Sequence, residues 1–519
     1  MDDRVAAAWA VLPDYLGQHV LLSAAALALG LAISLPLSVL SVRNARVRWP
    51  VLLTASIIQT IPGLALLALF YPLLLALSVL STRLFGHGFS ALGFLPSLLA
   101  LTLYSMLPVI RNAVTGILNV DPAYTEAAQG VGMTRRQTLW QVELPVAAPV
   151  IMAGIRTSAV WVIGAATLST PVGQTSLGNY IFSGLQLQNW VWVLFGCVAA
   201  AGLALFVDQA LGFIQSGLAL RSRWRIWSGA SVLAIGMVFA LAPRIGSDTA
   251  TYRVGAKNFS EQYILADLIS GRIAAEGGTA SQRTGLGSTV AFNALVAGDI
   301  DVYVDYSGTL WANIMHRRDT PSRKVVLAEL SDWLRGKYGV ELLGSLGFEN
   351  AYALAMKRTR ALQLGIGSLA DLGLRSPELA IGGDFEFFAR PEWRALSGRY
   401  GLDFASRREY QSTFMYQAVK NDEVDVISAF SSDGRIVADD LLVLADPLNV
   451  VLPYDAVVLL APGRAADPLL RRALSPLINA ISVERMREAN YRVDRNVDKE
   501  SPGSAARRLA AELGLASRK

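Results

Sequence analysis

Cysteine occurs once in this 519-residue chain, as Cys197 inside an apolar run, so no internal disulfide can form and cysteine usage names no compartment. Histidine is nearly as scarce. His19, His87 and His316 are scattered with no carboxylate or thiol at ligand spacing, and no metal site is expected. No G-x-x-x-x-G-K followed by Ser or Thr occurs, so the chain has no phosphate loop for ATP. No catalytic residue and no cofactor are expected either. Asp371, Asp384, Glu386 and Asp433 have no nucleophile or metal cluster at useful spacing, and Asp384 and Asp433 lie in glycine-containing turns, where carboxylates bond local backbone amides. The start, Met-Asp-Asp, lacks the basic region of a cleavable signal, so the first apolar run is expected to remain as an anchor.

What is abundant is apolar sequence, and it is confined to the first half. From Val20 to Ala242, runs of about 20 residues recur, long enough to cross a bilayer; from Thr251 onward none does. Spans are expected at about 20–40, 51–80, 90–110, 147–168, 190–215 and 226–243, with membrane lipid as their surroundings. Pro62-Gly63 and Pro72 predict a kink or break in the second. The net charge of +5 does not indicate nucleic acid, because many arginines of the first half flank the spans. Arg43, Arg46, Arg48, Arg111, Arg135, Arg136, Arg221, Arg223 and Arg225 fall on one side and only Arg4 and Arg83 on the other. The positive-inside rule therefore places the amino terminus outside, residues 126–145 in the cytoplasm, and everything after Thr251 outside. Asp208, near the inner end of the fifth span, reads as an interfacial solvated carboxylate rather than a pathway residue.

Between the third and fourth spans lies Glu126 to Pro145, EAAQGVGMTRRQTLWQVELP. Glu126 to Gln129 suits one helical turn, Gly132 a break, and Thr134 to Val142 a second short helix that Pro145 ends. The spacing of Glu126, Ala127, Ala128, Gly132, Leu144 and Pro145 resembles the EAA loop of ABC-importer permeases, with Val142 where isoleucine is usual. That resemblance implies docking of these residues on a separate ABC ATPase subunit, and pairing of the six-span permease with a second copy of itself. The Gly- and Ser-rich stretch Thr170 to Gln186 is similar to a segment that shapes the outer end of the pathway in osmoprotectant permeases.

The second half alternates strand and helix patterns. Strands are expected at 253–259, running there into a loop, and at 301–304, 351–356, 379–381, 424–427 and 456–460, and helices at 261–276, 288–296, 322–337, 391–400 and 415–420. Such alternation over about 270 residues argues a two-lobed α/β domain with its ligand in the cleft. The expected architecture is thus an α-helical transmembrane domain (1–243, about six spans), a linker (244–250) and a periplasmic-binding-protein-like α/β domain (251–519), with lobe I about 251–355 and 456–519 and lobe II about 356–455.

Five dispersed motifs in this half resemble substrate-binding proteins for glycine betaine, carnitine and choline. They are Lys257-Asn-Phe-Ser-Glu, Asp305-Tyr-Ser-Gly-Thr309, Gly347-Phe-Glu-Asn-Ala-Tyr-Ala353, Ala429-Phe-Ser-Ser-Asp-Gly434 and Leu452-Pro-Tyr-Asp455. A quaternary ammonium donates no hydrogen bond, so aromatic faces are what select it. By the resemblance, Tyr306, Tyr352, Phe430 and Tyr454 form that cage, with Phe430 where tyrosine is common. Lys257, Thr309 and Arg390 match the groups that hold a ligand carboxylate, with Asn350 nearby. The resemblance implies an inner-membrane importer subunit for a betaine such as glycine betaine, carnitine or ergothioneine. The rivals are a membrane-anchored solute sensor, which needs no ATPase-docking loop, and an ATP-independent transporter, which needs membrane carboxylates that the chain lacks apart from Asp208.

Overall fold

The computed structural model describes residues 3–85, 89, 93–187, 189–242, 252–317, 319, 321–384, 387–448, 450–495 and 498–515. The linker at 244–250, His87, Phe385 and Glu386 lie outside these residues. The chain divides into two compact units, one formed by 1–182 with 191–248 and one by 183–190 with 249–519.

The first unit is helical: α1 (Asp3–Arg43), α2 (Ala45–Thr60), α3 (Gly63–Phe85), α4 (Phe94–Leu118), α5 (Pro122–Gly130), α6 (Arg135–Thr138), α7 (Leu144–Ala166), α8 (Gly178–Gln186), α9 (Trp190–Ala219) and α10 (Arg223–Leu241). Six described helical segments are long and apolar enough to cross a membrane. The expected second span is indeed broken. Thr60 ends α2, Ile61 is extended (φ −70°, ψ 127°) as a residue before proline prefers, and a new helix starts at Gly63. α4 is the central helix, buried along most of its length and packed against α1, α2, α3 and α7. At its contact with α7 the backbones approach closely: a Cβ on Gly154 would lie 2.7 Å from the Pro108 carbonyl oxygen. The faces of α9 and α10 that carry Leu205, Phe206, Ile235, Val238 and Phe239 are exposed, as lipid-facing surface requires.

Two expectations are corrected here. Asp208 is not a lone solvated carboxylate but half-buried and paired: Arg156 on α7 donates to both its oxygens, at 3.0 and 2.8 Å, and a third guanidinium N–H reaches Gln215 at 2.7 Å. A charge within a span is costly alone, and pairing is what makes it tolerable. Pro145 does not end the second short helix. A π turn at Leu139–Glu143 follows α6, with the Leu144 N–H bonding the Leu139 carbonyl, and α7 continues through Pro145 into the membrane. The widened turn comes just before the position where proline lacks an N–H and its ring would crowd a carbonyl of an α-helix.

The second unit holds two five-stranded sheets. The strands are β1 (Tyr252–Lys257), β2 (Ala280–Leu286), β3 (Val302–Tyr306), β4 (Glu341–Glu349), β5 (Tyr352–Lys357), β6 (Ala380–Asp384), β7 (Ser406–Tyr410), β8 (Val426–Phe430), β9 (Leu441–Val443) and β10 (Asp455–Leu460). One sheet has the order β2-β1-β3-β10-β4 and the other β7-β6-β8-β5-β9. β5, β8 and β10 are almost wholly buried on both faces, which is why they read as unbroken apolar runs. The four strands not foreseen, β2, β4, β7 and β9, are more polar or very short and give no such signal.

The chain passes between the sheets at Asn350–Ala351 and returns between β9 and β10. Tyr352 to Ala355, expected in the first lobe, therefore belong to the second sheet, because β5 pairs there with β8 and β9. The two crossings are tied to each other by the Asn350 N–H, which donates to the Tyr454 carbonyl at 2.9 Å.

Candidate functional site

Strand register brings the expected aromatic residues to the crossings. Tyr352, first in β5, is the direct partner of Phe430, last in β8, and their rings stand 4.8 Å apart. Tyr454, just ahead of β10, meets the Tyr352 ring edge-on at 5.9 Å. Phe387, not foreseen as a contact, supports the other side of Tyr352 at 5.3 Å. Tyr306, last in β3, stacks instead with Phe259 at 6.1 Å. All four expected cage residues line one cavity of about 230 Å³, together with Lys257, Thr309, Asn350 and Arg390.

The basic residues in this cavity already have carboxylate neighbours. The Lys257 ammonium donates to Asp305, both being buried. Arg390 donates to Glu392 at 3.3 Å and to the Tyr454 hydroxyl at 2.8 Å, and its guanidinium lies 4.9 Å from the Tyr352 ring centre. Desolvation pulls the Arg390 pKa down, but Tyr454, Tyr352 and Glu392 outweigh it, so the group stays charged. Burial pushes the Tyr454 hydroxyl well above its ordinary value, Glu392 adding to this and Arg390 opposing it. Each pair is locally neutral and holds its cation at the cavity wall.

The central polar residue was not foreseen. Glu261, at the start of the helix α11 (Ser260–Ala275), is 2% exposed and has no cationic partner among the described residues. One oxygen accepts from the Tyr306 hydroxyl at 2.5 Å and Asn350 at 3.2 Å; the other accepts from the Ser432 hydroxyl at 2.6 Å and Asn490 at 2.8 Å. Burial raises its pKa, and those four hydrogen bonds oppose the rise. Glu261 thus ties β3, the first crossing and the segment after β8 to one helix end. Its sequence signal was faint, a glutamate inside the Lys257 motif.

Asp433 and Arg435 form a buried pair at 2.5 Å beside the cavity. Asp384 and Asp433 also accept from backbone N–H groups of Phe387 and Arg435, at 3.1 and 2.9 Å, which is the turn role expected of them. Asp494 accepts from the Ser260 hydroxyl at 2.5 Å. Burial raises its carboxyl to about 6; Arg435 opposes the rise, Asp433 adds to it, and Ser260 and Lys499 oppose it. A folded-state pKa above the ordinary 3.8 means that the associated stability is full below that value and lost as pH rises through about 6. Asp494→Asn is therefore expected to gain stability relative to the parent chain between about pH 4 and pH 7. Thermal unfolding of both chains across that range checks this, and a constant difference would contradict it.

In the first unit, the stretch 126–145 has its own local architecture. Asp121 caps α5 through the Ala123 N–H at 2.9 Å, and Gly132 takes φ +83°, a conformation that disfavours any side chain. Thr134 and Gln137 form a capping box that starts α6. Ala128 is buried, while Glu126, Ala127, Val131 and Trp140 are exposed, and Arg43 at the end of α1 bonds Glu143 at 3.1 Å.

Residues 250–512, just over half of the chain, match the family of substrate-binding domains of ABC-type glycine betaine transport systems. The chain belongs to this family. Residues 26–221 match the inner-membrane component of binding-protein-dependent transport systems, so permease and binding domain of an ABC importer are fused in one polypeptide. The importer chain is 27% identical over 489 residues to the ergothioneine transport permease/ergothioneine binding protein of Helicobacter pylori strain G27, covering 91% of this chain and 85% of that one. Its membrane half is 39% identical over 201 residues to the choline transport system permease protein of Bacillus subtilis strain 168, covering 39% of this chain and 85% of the relative. A solved structure described as a glycine betaine/carnitine/choline ABC transporter matches 51% of this chain and 99% of its own, with 25% identity and a TM-score of 0.46. As an importer of this family the chain is a multi-pass inner-membrane protein that works with an ABC ATPase and a small-molecule substrate.

Proposed function

We propose that the importer captures a trimethylammonium zwitterion outside the cell and passes it through its own membrane domain. The observation that carries this is the convergence of Tyr306, Tyr352, Phe430 and Tyr454 on one cavity whose wall also holds Lys257, Thr309 and Arg390. Aromatic faces suit a cation that cannot hydrogen-bond, and guanidinium, ammonium and hydroxyl donors suit the carboxylate at its other end. The names of the relatives, which mention choline, glycine betaine, carnitine and ergothioneine, point to quaternary-ammonium ligands, all but choline being zwitterions with a carboxylate. The arginine distribution favours an outward-facing binding domain; the resemblance of residues 126–145 to the EAA loop favours an ATPase seated at Glu126, Ala127, Ala128, Gly132, Leu144 and Pro145, with a second copy of the chain completing the permease pair.

Calorimetric titration of the purified full chain with glycine betaine, carnitine, ergothioneine and choline tests the ligand. A carboxylated ligand is expected to bind most tightly; choline binding above all of them would remove Lys257 and Arg390 from the carboxylate role. For coupling, Gly132→Val should lower ATP-dependent uptake by about 10-fold or more, since a β-branched residue is strained at that φ. Ligand binding to the outer domain should persist, and uptake at the parent rate would take Gly132 out of the coupling path.

A further inference from the structure

A separate cavity, of about 440 Å³, lies within the membrane unit between α1, α7, α9 and α10. On α1 its lining runs as one stripe from Leu16 to Leu31, which is about 22 Å of helix. Ile163 on α7, Leu211 on α9 and Met237 on α10 contribute the other walls. Of the lining residues only Ser23 has a polar side chain. α9 and α10 touch beside the cavity, where a Cβ on Gly236 would lie 3.0 Å from a Phe206 ring carbon. Phe206 and Phe239 belong both to the lining and to the exposed faces of α9 and α10, so the cavity is continuous with the lipid-facing surface.

Polarity and shape together select an occupant. Ordered water needs two or more polar partners, and this lining supplies one hydroxyl. A betaine carries two full charges, and no charged side chain lines these walls. A helix of a second copy, about 10 Å across with its side chains, is too thick for a slot of this volume and length. A hydrocarbon chain is long, thin and apolar. Lipid tails already surround the unit, so what favours entry is dispersion contact with walls that a void would leave without partners. We propose that this cavity binds one acyl chain of a membrane phospholipid, which enters beside Phe206 and Phe239. Leu16 to Leu31 lie in the part of α1 farther from Arg43, Arg46 and Arg48, so the arginine distribution assigns the lipid to the outer leaflet. The chain fills the seam that α10 makes with α1 and α9. α10 is the last span before the binding domain, so the lipid steadies the helix from which that domain is tethered.

Native mass spectrometry of the full chain, purified from membranes and washed in detergent until surface lipid is removed, tests the site. The parent is expected to keep a phospholipid on each chain. Ala24→Phe and Ile163→Phe push a ring into the slot from two different helices, and each should lower that occupancy about 5-fold or more, as overpacking of a filled site would. Leu205→Phe, on the exposed face of α9 outside the lining, should retain the lipid as the parent does. Betaine titration of the same preparations should give the parent's affinity, which separates loss of the lipid from loss of the fold. A parent chain that keeps no phospholipid overturns the site, whatever the variants do. Retention by both filling variants at the parent's level overturns it as well. Dissociation of the filling variants into single copies, from a lipid-free parent that is paired, would give the cavity to a second copy instead.

Discussion

Tyr352→Ala is expected to lower betaine affinity about 30-fold, or ~2 kcal/mol, the upper range for a desolvated cation facing an aromatic ring. Tyr352 is the ring that the others rest on: Phe430 lies 4.8 Å from it, Phe387 5.3 Å and Tyr454 5.9 Å, with the Arg390 guanidinium 4.9 Å away. Its removal takes away one cage face and also the support that sets Phe430 and Tyr454. Tyr352→Phe keeps the face and should stay within about 3-fold of the parent, since only the hydroxyl is lost. Calorimetry on the full chain distinguishes the two variants. An alanine variant that binds as the parent does would place the ligand elsewhere.

Gly434→Ala is expected to destabilise the binding domain by about 3 kcal/mol, the upper end for overpacking. A Cβ there would lie 2.2 Å from the Tyr491 nitrogen and 2.4 Å from the Asn490 carbonyl carbon. These are backbone atoms of the helix Val483–Asp494, which cannot move as a side-chain tip can. Relief would require shifting that helix or the segment carrying Asp433 and Arg435, so ligand affinity should fall together with stability. For a domain of this size the melting transition should drop by roughly 6–12 °C. An unchanged transition would mean that helix and segment separate freely, against the close packing described here. Gly308 makes a comparable contact at the other crossing, where a Cβ would lie 2.6 Å from a Tyr454 ring carbon.

These two variants mark what reading the residues could and could not reach. Long apolar runs disclosed the membrane helices because a span must satisfy its backbone within one segment, and Pro62 disclosed the break between α2 and α3 because proline acts on its own neighbours. Strands buried on both faces, such as β5 and β10, were legible for the same local reason. β2, β4 and β7 were not, since they are stabilised by partners distant in the chain and carry mixed polarity. Pro145 does not end its helix, against the local expectation, because the π turn before it depends on how α6 joins α7.

The sequence by itself determined the fused plan of permease and binding domain, the stretch around Gly132 proposed for coupling, and the kinds of residue the proposed betaine site needs. Only the tertiary structure decided how those residues share their bonds. It engaged Lys257 with Asp305 and Arg390 with Glu392, paired Asp208 with Arg156, and set Glu261 between the crossings. Residue type and spacing express what a side chain can offer. Which partner takes each offer depends on contacts such as Glu261 with Asn490, 229 residues apart, that no local pattern encodes.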